Sequence, residues 1–293
     1  MSPRNILNLS LFAVVIVLAL IAIYEPGKQD SKPQQLSSQD PKTIHRIRVE
    51  RAGQQPMVFE KQGQDWHMQA PYPLLANQLK LDGLTRLLNQ ESYAQYVLQE
   101  LDPKHYGLDK PKASITYNTN KPFHFGNTEP INNRRYVSHD DTLYVISDNF
   151  YYQLMSPVTS YIDHALLPKQ TIHKLALPNF TLEKKTEGNW QIKPTQSDFS
   201  TERANELIEN WTLSHAIRIE GYEPQANLPQ VNVYFEAKEA PLTFDVLKQE
   251  NDFYLARPDL KLKYQFAADK AKQLLRLPPK IDAETIETHA PEK

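Results

Sequence analysis

The feature that most constrains this chain is an internal repeat, because a sequence that returns on itself fixes the architecture before any local element is assigned. TIHRIRVER at Thr43–Arg51 returns as TIHKLALPN at Thr171–Asn179, and VFEKQGQDWHMQAP at Val58–Pro71 returns as LEKKTEGNWQIKP at Leu182–Pro194. Trp66 then stands opposite Trp190, and Pro71 opposite Pro194. Each copy runs on into a helical period, Leu81, Leu84, Leu87 and Leu88 in the first and Ala204, Leu207, Ile208 and Trp211 in the second. That is the i, i+3, i+4, i+7 spacing of one buried stripe.

After each helix come short alternating runs: ASITYN, FHFG, RRYVSHD and TLYVIS, then VNVYFEA, LTFDVL, DFYLARP and LKYQF. Period-two alternation of β-branched and aromatic residues marks strands buried on one face, and the Pro, Asn and Asp breaks between them suit turns. Each copy thus predicts strand, strand, helix, then three or four strands, in an antiparallel sheet. The predicted class is α+β, two tandem repeats of one sheet with one packed helix, over residues 43–167 and 171–281. The second copy closes on AADKAKQLLRL, an amphipathic helix stopped by Pro278 and Pro279, and residues 282–293 read as a frayed tail.

Upstream of the repeats, Ile6–Tyr24 is apolar apart from Asn8 and Ser10. Roughly 20 such residues cross a hydrocarbon core of ~30 Å, so residues 1–24 are expected to be a single transmembrane anchor. A cleaved signal peptide is the rival reading, and Leu20 and Ile23 spoil its small-x-small cleavage registers around Ala22. Glu25–Lys42, rich in Pro, Gln, Ser and charge, reads as a flexible stalk. Arg4 against Lys28 and Lys32 gives a weak positive-inside bias. The layout of short tail, one span and large soluble region places the bulk outside the cytoplasm, on the periplasmic side of a bacterial inner membrane.

Composition closes several routes to function. With 33 basic and 35 acidic residues and a net charge of -2, the chain carries no overall footprint for nucleic acid. The absence of cysteine excludes disulfides, thiolate nucleophiles, thiolate metal sites and a lipid-modified N-terminal cysteine. Its eight glycines, no two closer than ten residues, exclude the glycine-rich phosphate cradles, so no nucleotide is expected. No cofactor is expected either.

Several strings together resemble a known family. These are Trp66 to Pro71, the helix after Asn77, YGLDKP at Tyr106–Pro111, FG at Phe125–Gly126, RRYV at Arg134–Val137 and IDHALLPK leading to IHKL. They are similar to the bacterial family catalogued as domain of unknown function 4340, over about Thr43 to Ile281. The signature residues are Trp66, Pro71, Tyr106, Gly107, Leu108, Trp190 and Pro194. Asn77 stands where the family usually has an acidic residue, and the second copy has only GYEP, at Gly221–Pro224, in place of YGL-x-x-P. The resemblance implies no established activity. It implies an anchored envelope protein, in some members encoded beside transporter components of the kind linked to gliding motility.

Candidate chemistry is sparse. His45 and His173 occupy one place in the two repeats, and alternation puts both on the solvent face. His139 with Asp140 and Asp141 reads as the polar tip of a hairpin, with metal binding as the sharper alternative. Asp163 and His164 are adjacent, so on an extended segment they point to opposite sides. Asp163 reads as a capping or turn residue before a buried Leu166 and Leu167. Trp66 and Trp190 are expected to pack on their helices, with a sugar platform as the alternative. Gly107 reads as a turn glycine, with a partner-binding loop at Tyr106–Leu108 as the sharper reading. Arg134, Arg135 and Lys121 form a small basic grouping of the solvated kind.

The leading expectation is therefore a non-catalytic accessory or scaffold protein that contacts the bilayer through its N-terminal helix and a membrane or periplasmic protein through its repeats. A lipid or glycan carrier is the second class, and a hydrolase with a fold-assembled site the third. A deep apolar pocket would favour the carrier, an exposed aromatic surface the partner, and converging carboxylates and histidines the enzyme.

Overall fold

The alternating runs become strands because every second residue finds an apolar neighbour on the same face of the next strand. A computed structural model describes residues 3–24, 34–185, 188–236, 240–249 and 251–279. A helix, α1 (Pro3–Tyr24), comes first, and β1 (Gln34–Gln35) opens the first half. There follow β2 (Arg46–Arg51), β3 (Met57–Gln62), β4 (Asp65–Ala70), β5 (Leu74–Leu75), α2 (Gln78–Thr85) and β6 (Glu91–Val97). Then come β7 (Ala113–Tyr117), β8 (Phe123–Thr128), β9 (Arg134–His139), β10 (Thr142–Ser147) and α3 (Asn149–Leu154). The second half is β11 (Ile172–Ala176), β12 (Thr181–Lys184), β13 (Trp190–Lys193), α4 (Thr201–Thr212) and β14 (Arg218–Gly221). It ends in β15 (Gln230–Phe235), β16 (Leu242–Lys248), β17 (Asp252–Arg257), β18 (Leu262–Ala267) and α5 (Lys270–Leu275).

Among the described residues the strands form two antiparallel sheets, β1-β6-β10-β9-β8-β7-β2-β3-β4-β5 and β13-β12-β11-β15-β16-β17-β18-β14. With the two-residue strands β1 and β5 set aside and the second sheet read in reverse, the two orders are the same. In both, the first strand of the half lies between the second and the fifth, and the fourth lies beyond the eighth. The correspondence reaches single residues. Lys61 pairs with Trp66 and Lys184 with Trp190, and Ala70-Pro71 and Lys193-Pro194 are both cis. Each second-to-third hairpin also turns on a glycine of positive φ, Gly63 at 64° and Gly188 at 85°.

Both main helices start at a capping side chain, as the missing acceptors of a helix N-terminus require. Asn77 Oδ1 accepts from the Lys80 amide and Ser200 Oγ from the Arg203 amide. Leu81, Leu84, Leu87 and Leu88 are fully buried, as are Ala204, Leu207 and Trp211; Ile208 packs at the margin. Leu87 and Leu88 sit on a 3-10 extension of α2, Arg86–Asn89. Trp66 and Trp190 are 3% and 7% exposed. One core runs through both halves.

Two expectations are corrected. The chain is mainly β rather than α+β: β6 and β14 add a strand to each half that alternation did not reveal, and α3 adds a short helix to the first, while the expected closing helix of the second half is α5. The strands win because the buried alternation is continuous across each sheet, whereas α3 and α5 are only six residues each. The transmembrane span is also overturned: among the described residues no helix is long and apolar enough to cross a membrane. Residues 25–33 of the expected stalk and the tail from 282 lie outside the described residues. From Gln34 the chain already lies on the first sheet, with Leu36 buried.

Candidate functional site

The signature strings, far apart in sequence, meet in space. The segment after β6 turns through a 3-10 helix, Pro103–Tyr106, capped by the Asp102 side chain at its start and by Gly107 at φ 66° at its end. The Tyr106 ring stands edge-on to Tyr136 of β9 at 4.9 Å between centroids. The Gly126 backbone of β8 passes so close beneath this turn that a Cβ there would overlap the Tyr106 carbonyl oxygen and press on Leu108. A Cβ on Gly107 would strike the Asn127 side chain. YGL, FG and RRYV are thus three sides of one joint.

Arg135 ties that joint down. Its Nη1 donates to the Gly126 carbonyl at 2.7 Å, while Nε and Nη2 donate to both oxygens of Asp148 at 2.7 and 2.9 Å. The guanidinium also lies 3.7 Å over the Tyr151 ring. A buried arginine held by a two-pronged carboxylate and a carbonyl has its charge and donors matched. Arg135, Arg134 and Lys121 do not form a patch, since Arg134 stacks over Tyr93 at 3.7 Å and Lys121 pairs with Asp140.

In the second half, where YGL-x-x-P is missing, a polar clamp stands in the same place. Tyr222, just after β14, donates to Oδ2 of buried Asp245 on β16 at 2.8 Å, and Gln230 donates to Oδ1 at 2.9 Å. Tyr222→Phe is expected to cost about 1–3 kcal/mol, because it strips a donor from a buried carboxylate. Denaturant midpoints measure it, and a shift below about 0.5 kcal/mol would mean that Gln230 alone suffices for Asp245.

The remaining candidates take structural places. His139 stacks on Phe123 at 3.8 Å and sits beside Asp140, whose φ of 50° makes the tip of the β9–β10 hairpin. His45 is exposed, and His173 lies on the outer face beside Tyr234, partly covered, with an Nδ1 that has no hydrogen-bond partner among the described residues. Among the described residues no group of three or more side chains comes together as a metal site.

The connector Ile162–Pro168 joins both sheets at once. On one side Ile162 bridges Ala76 and the Asp163 amide donates to the Leu75 carbonyl. On the other, Ala165 bridges His215, the Leu166 amide donates to Ser214 and the Ala216 amide to His164. Asp163 Oδ1 accepts from the Ala165 amide at 2.8 Å, the turn role expected of it, and His164 Nδ1 lies 2.9 Å from the Ala216 carbonyl. Leu166 and Leu167 are buried.

Against this connector lies a cavity of about 440 Å³, walled by Leu74, Leu166, Phe235 and Leu242 among others, with His67, Asp163 and Arg257 as its polar members. Sequence reasoning missed it, since its wall is drawn from both halves and no local string marks it.

Two similar antiparallel sheets, a shared connector and a signature joint define a mainly β protein of two-sheet architecture. The family described as "Domain of unknown function (DUF4340)" matches residues 66–233, more than half of the chain, and the protein belongs to it. The match is one continuous span from Trp66 on β4 to Val233 on β15, so it crosses from one sheet to the other. No curated protein and no solved structure matches the chain.

Proposed function

We propose that this is a non-catalytic accessory or scaffold protein of the bacterial envelope, with its sheets on the periplasmic side, and that it binds another protein by strand addition at the outer edge of β6. The observation that carries this is the state of that edge. β10 holds the inner side of β6, while on the outer side β1 covers only Glu91 and Ser92, and no strand among the described residues pairs there with Tyr93 to Val97. Tyr93, Tyr96 and Val97 are each more than half exposed. Natural edges are usually blunted by charge or proline, and YAQYV has neither. A partner strand would gain main-chain hydrogen bonds and two aromatic side chains to pack on. Beneath the strip, the joint at Tyr106 and Tyr136 stiffens the same end of the sheet.

The two tandem copies of one ancestral unit belong to this reading. Equal strand order and the paired tryptophans support them. Such a duplication offers a partner two similar faces, and two weak contacts can then bind more tightly than either alone.

The test is a photo-crosslinking residue at Tyr93 in cells, with and without Tyr96→Lys. A discrete protein adduct that disappears in the lysine variant, with folding stability unchanged, is the expected result. No adduct, or an adduct of equal yield in the variant, sinks the reading.

A further inference from the structure

From the cavity between the sheets, we infer that this protein binds a short zwitterionic peptide of two or three apolar residues, its carboxylate on Arg257, its ammonium on Asp163 and its side chains among Leu74, Leu166, Phe235 and Leu242. The inference is independent of strand addition at β6. Three observations carry it. First, the cavity, about 440 Å³, falls within the range of small-ligand sites, and its wall is apolar except for His67, Asp163 and Arg257.

Second, the two charges have unspent capacity. Arg257 uses Nε and Nη2 on Asp259, at 2.8 and 2.6 Å, and that fork holds the guanidinium plane fixed. Its side chain is only 11% exposed, and Nη1 has no partner among the described residues. Asp163 spends Oδ1 on the Ala165 amide, and among the described residues it forms no ion pair. Arg257 and Asp163 do not pair with each other, although both act on one phenol. Tyr264 is raised to about 12 chiefly by burial, with Arg257 lowering it and Asp259 and Asp163 raising it. Both line the one cavity, so one small molecule in it can reach the two.

Third, the charges discriminate among ligands. A fatty acid would engage the Nη1 of Arg257 and leave Asp163 facing an acyl chain, and a neutral hydrocarbon would leave Asp163 without an ion-pair partner and that Nη1 without an acceptor, although Asp259 already balances the charge of Arg257. Burying a charge beside apolar atoms without a partner is costly. A molecule with one ammonium, one carboxylate and apolar side chains matches Asp163, Arg257 and the apolar wall. Arg257 comes from β17 and Asp163 from the connector, so the site exists only while both sheets are in place.

The test is isothermal titration of the full chain with Leu-Leu, N-acetyl-Leu-Leu, Leu-Leu-amide and decanoate. Saturable binding of Leu-Leu at one per chain is expected, weakened at least about tenfold by either blocking group. Arg257→Gln is expected to make Leu-Leu and its amide bind alike while the acetyl group still weakens binding. Asp163→Asn, which keeps an oxygen for the Ala165 amide, is expected to do the reverse. Leu242→Trp fills the cavity and abolishes binding without loss of the folded signal in circular dichroism. Absence of Leu-Leu binding, equal binding of the blocked forms to the unsubstituted protein, or tighter binding of decanoate would each overturn the inference, as would variants that leave the discrimination unchanged.

Discussion

Gly126→Ala is expected to destabilise the protein by about 3 kcal/mol, an overpacking cost at the upper end of its usual range. For a folded region of this size that lowers the thermal midpoint by roughly 6 to 12 °C. The added methyl would overlap a main-chain carbonyl, that of Tyr106, which cannot rotate aside as a side chain can. Leu108 and Arg135, both in contact with Gly126, resist the shift that would make room. The Tyr106 turn then loses its seat, and proteases are expected to cut near Lys104. Gly221→Ala is the control, since a Cβ there meets nothing within 4 Å; its change is expected to stay within about 0.5 kcal/mol. Equal behaviour of the two variants would refute the close-approach argument.

Trp211→Ala is the second large effect, about 3–5 kcal/mol. Trp211 is wholly buried, packs 5.9 Å from Phe244, and donates its Nε1 hydrogen to the Leu274 carbonyl at 2.8 Å. Alanine removes the ring that joins α4 to the sheet and also orphans the carbonyl at the end of α5. Trp211→Phe keeps most of the apolar volume but not the donor, so it is expected to fall between wild type and alanine. Chemical denaturation followed by tryptophan fluorescence, with Trp66 and Trp190 still present as reporters, distinguishes the three. If phenylalanine costs as much as alanine, the hydrogen bond and not the packing carries the site.

Much of the fold was legible because burial writes itself into the sequence as a period. The eight alternating runs are strands, the leucine stripe is α2, and the paired tryptophans occupy equivalent strand positions. The period fails where burial fails. In β6, ESYAQYV, Ser92 is the one residue that is fully buried, so no apolar alternation points inward. In β14 the four residues RIEG bury Ile219 alone. Those two strands turn the expected α+β layout into a mainly β one. Sites were less legible than elements. The turn role of Asp163 followed from its neighbours, but the meeting of Tyr106 with Gly126 and the fork of Arg135 on Asp148 are contacts between strings that propensity treats separately. The partial cover of His173 comes from the Tyr234 ring on a strand far along the chain.

The connector has a practical consequence. A gene cut after Pro168 at the apparent joint between the halves would release a first fragment whose Leu166 amide and His164 carbonyl have lost Ser214 and Ala216. Its Leu166 and Leu167 side chains would be left without the neighbours of the second half. A cut before Ile162 would instead strip Leu75 and Ala76 of their partner strand. Neither product is a finished module, and the smallest unit that can be expressed, swapped or fused intact runs from the first sheet through the second.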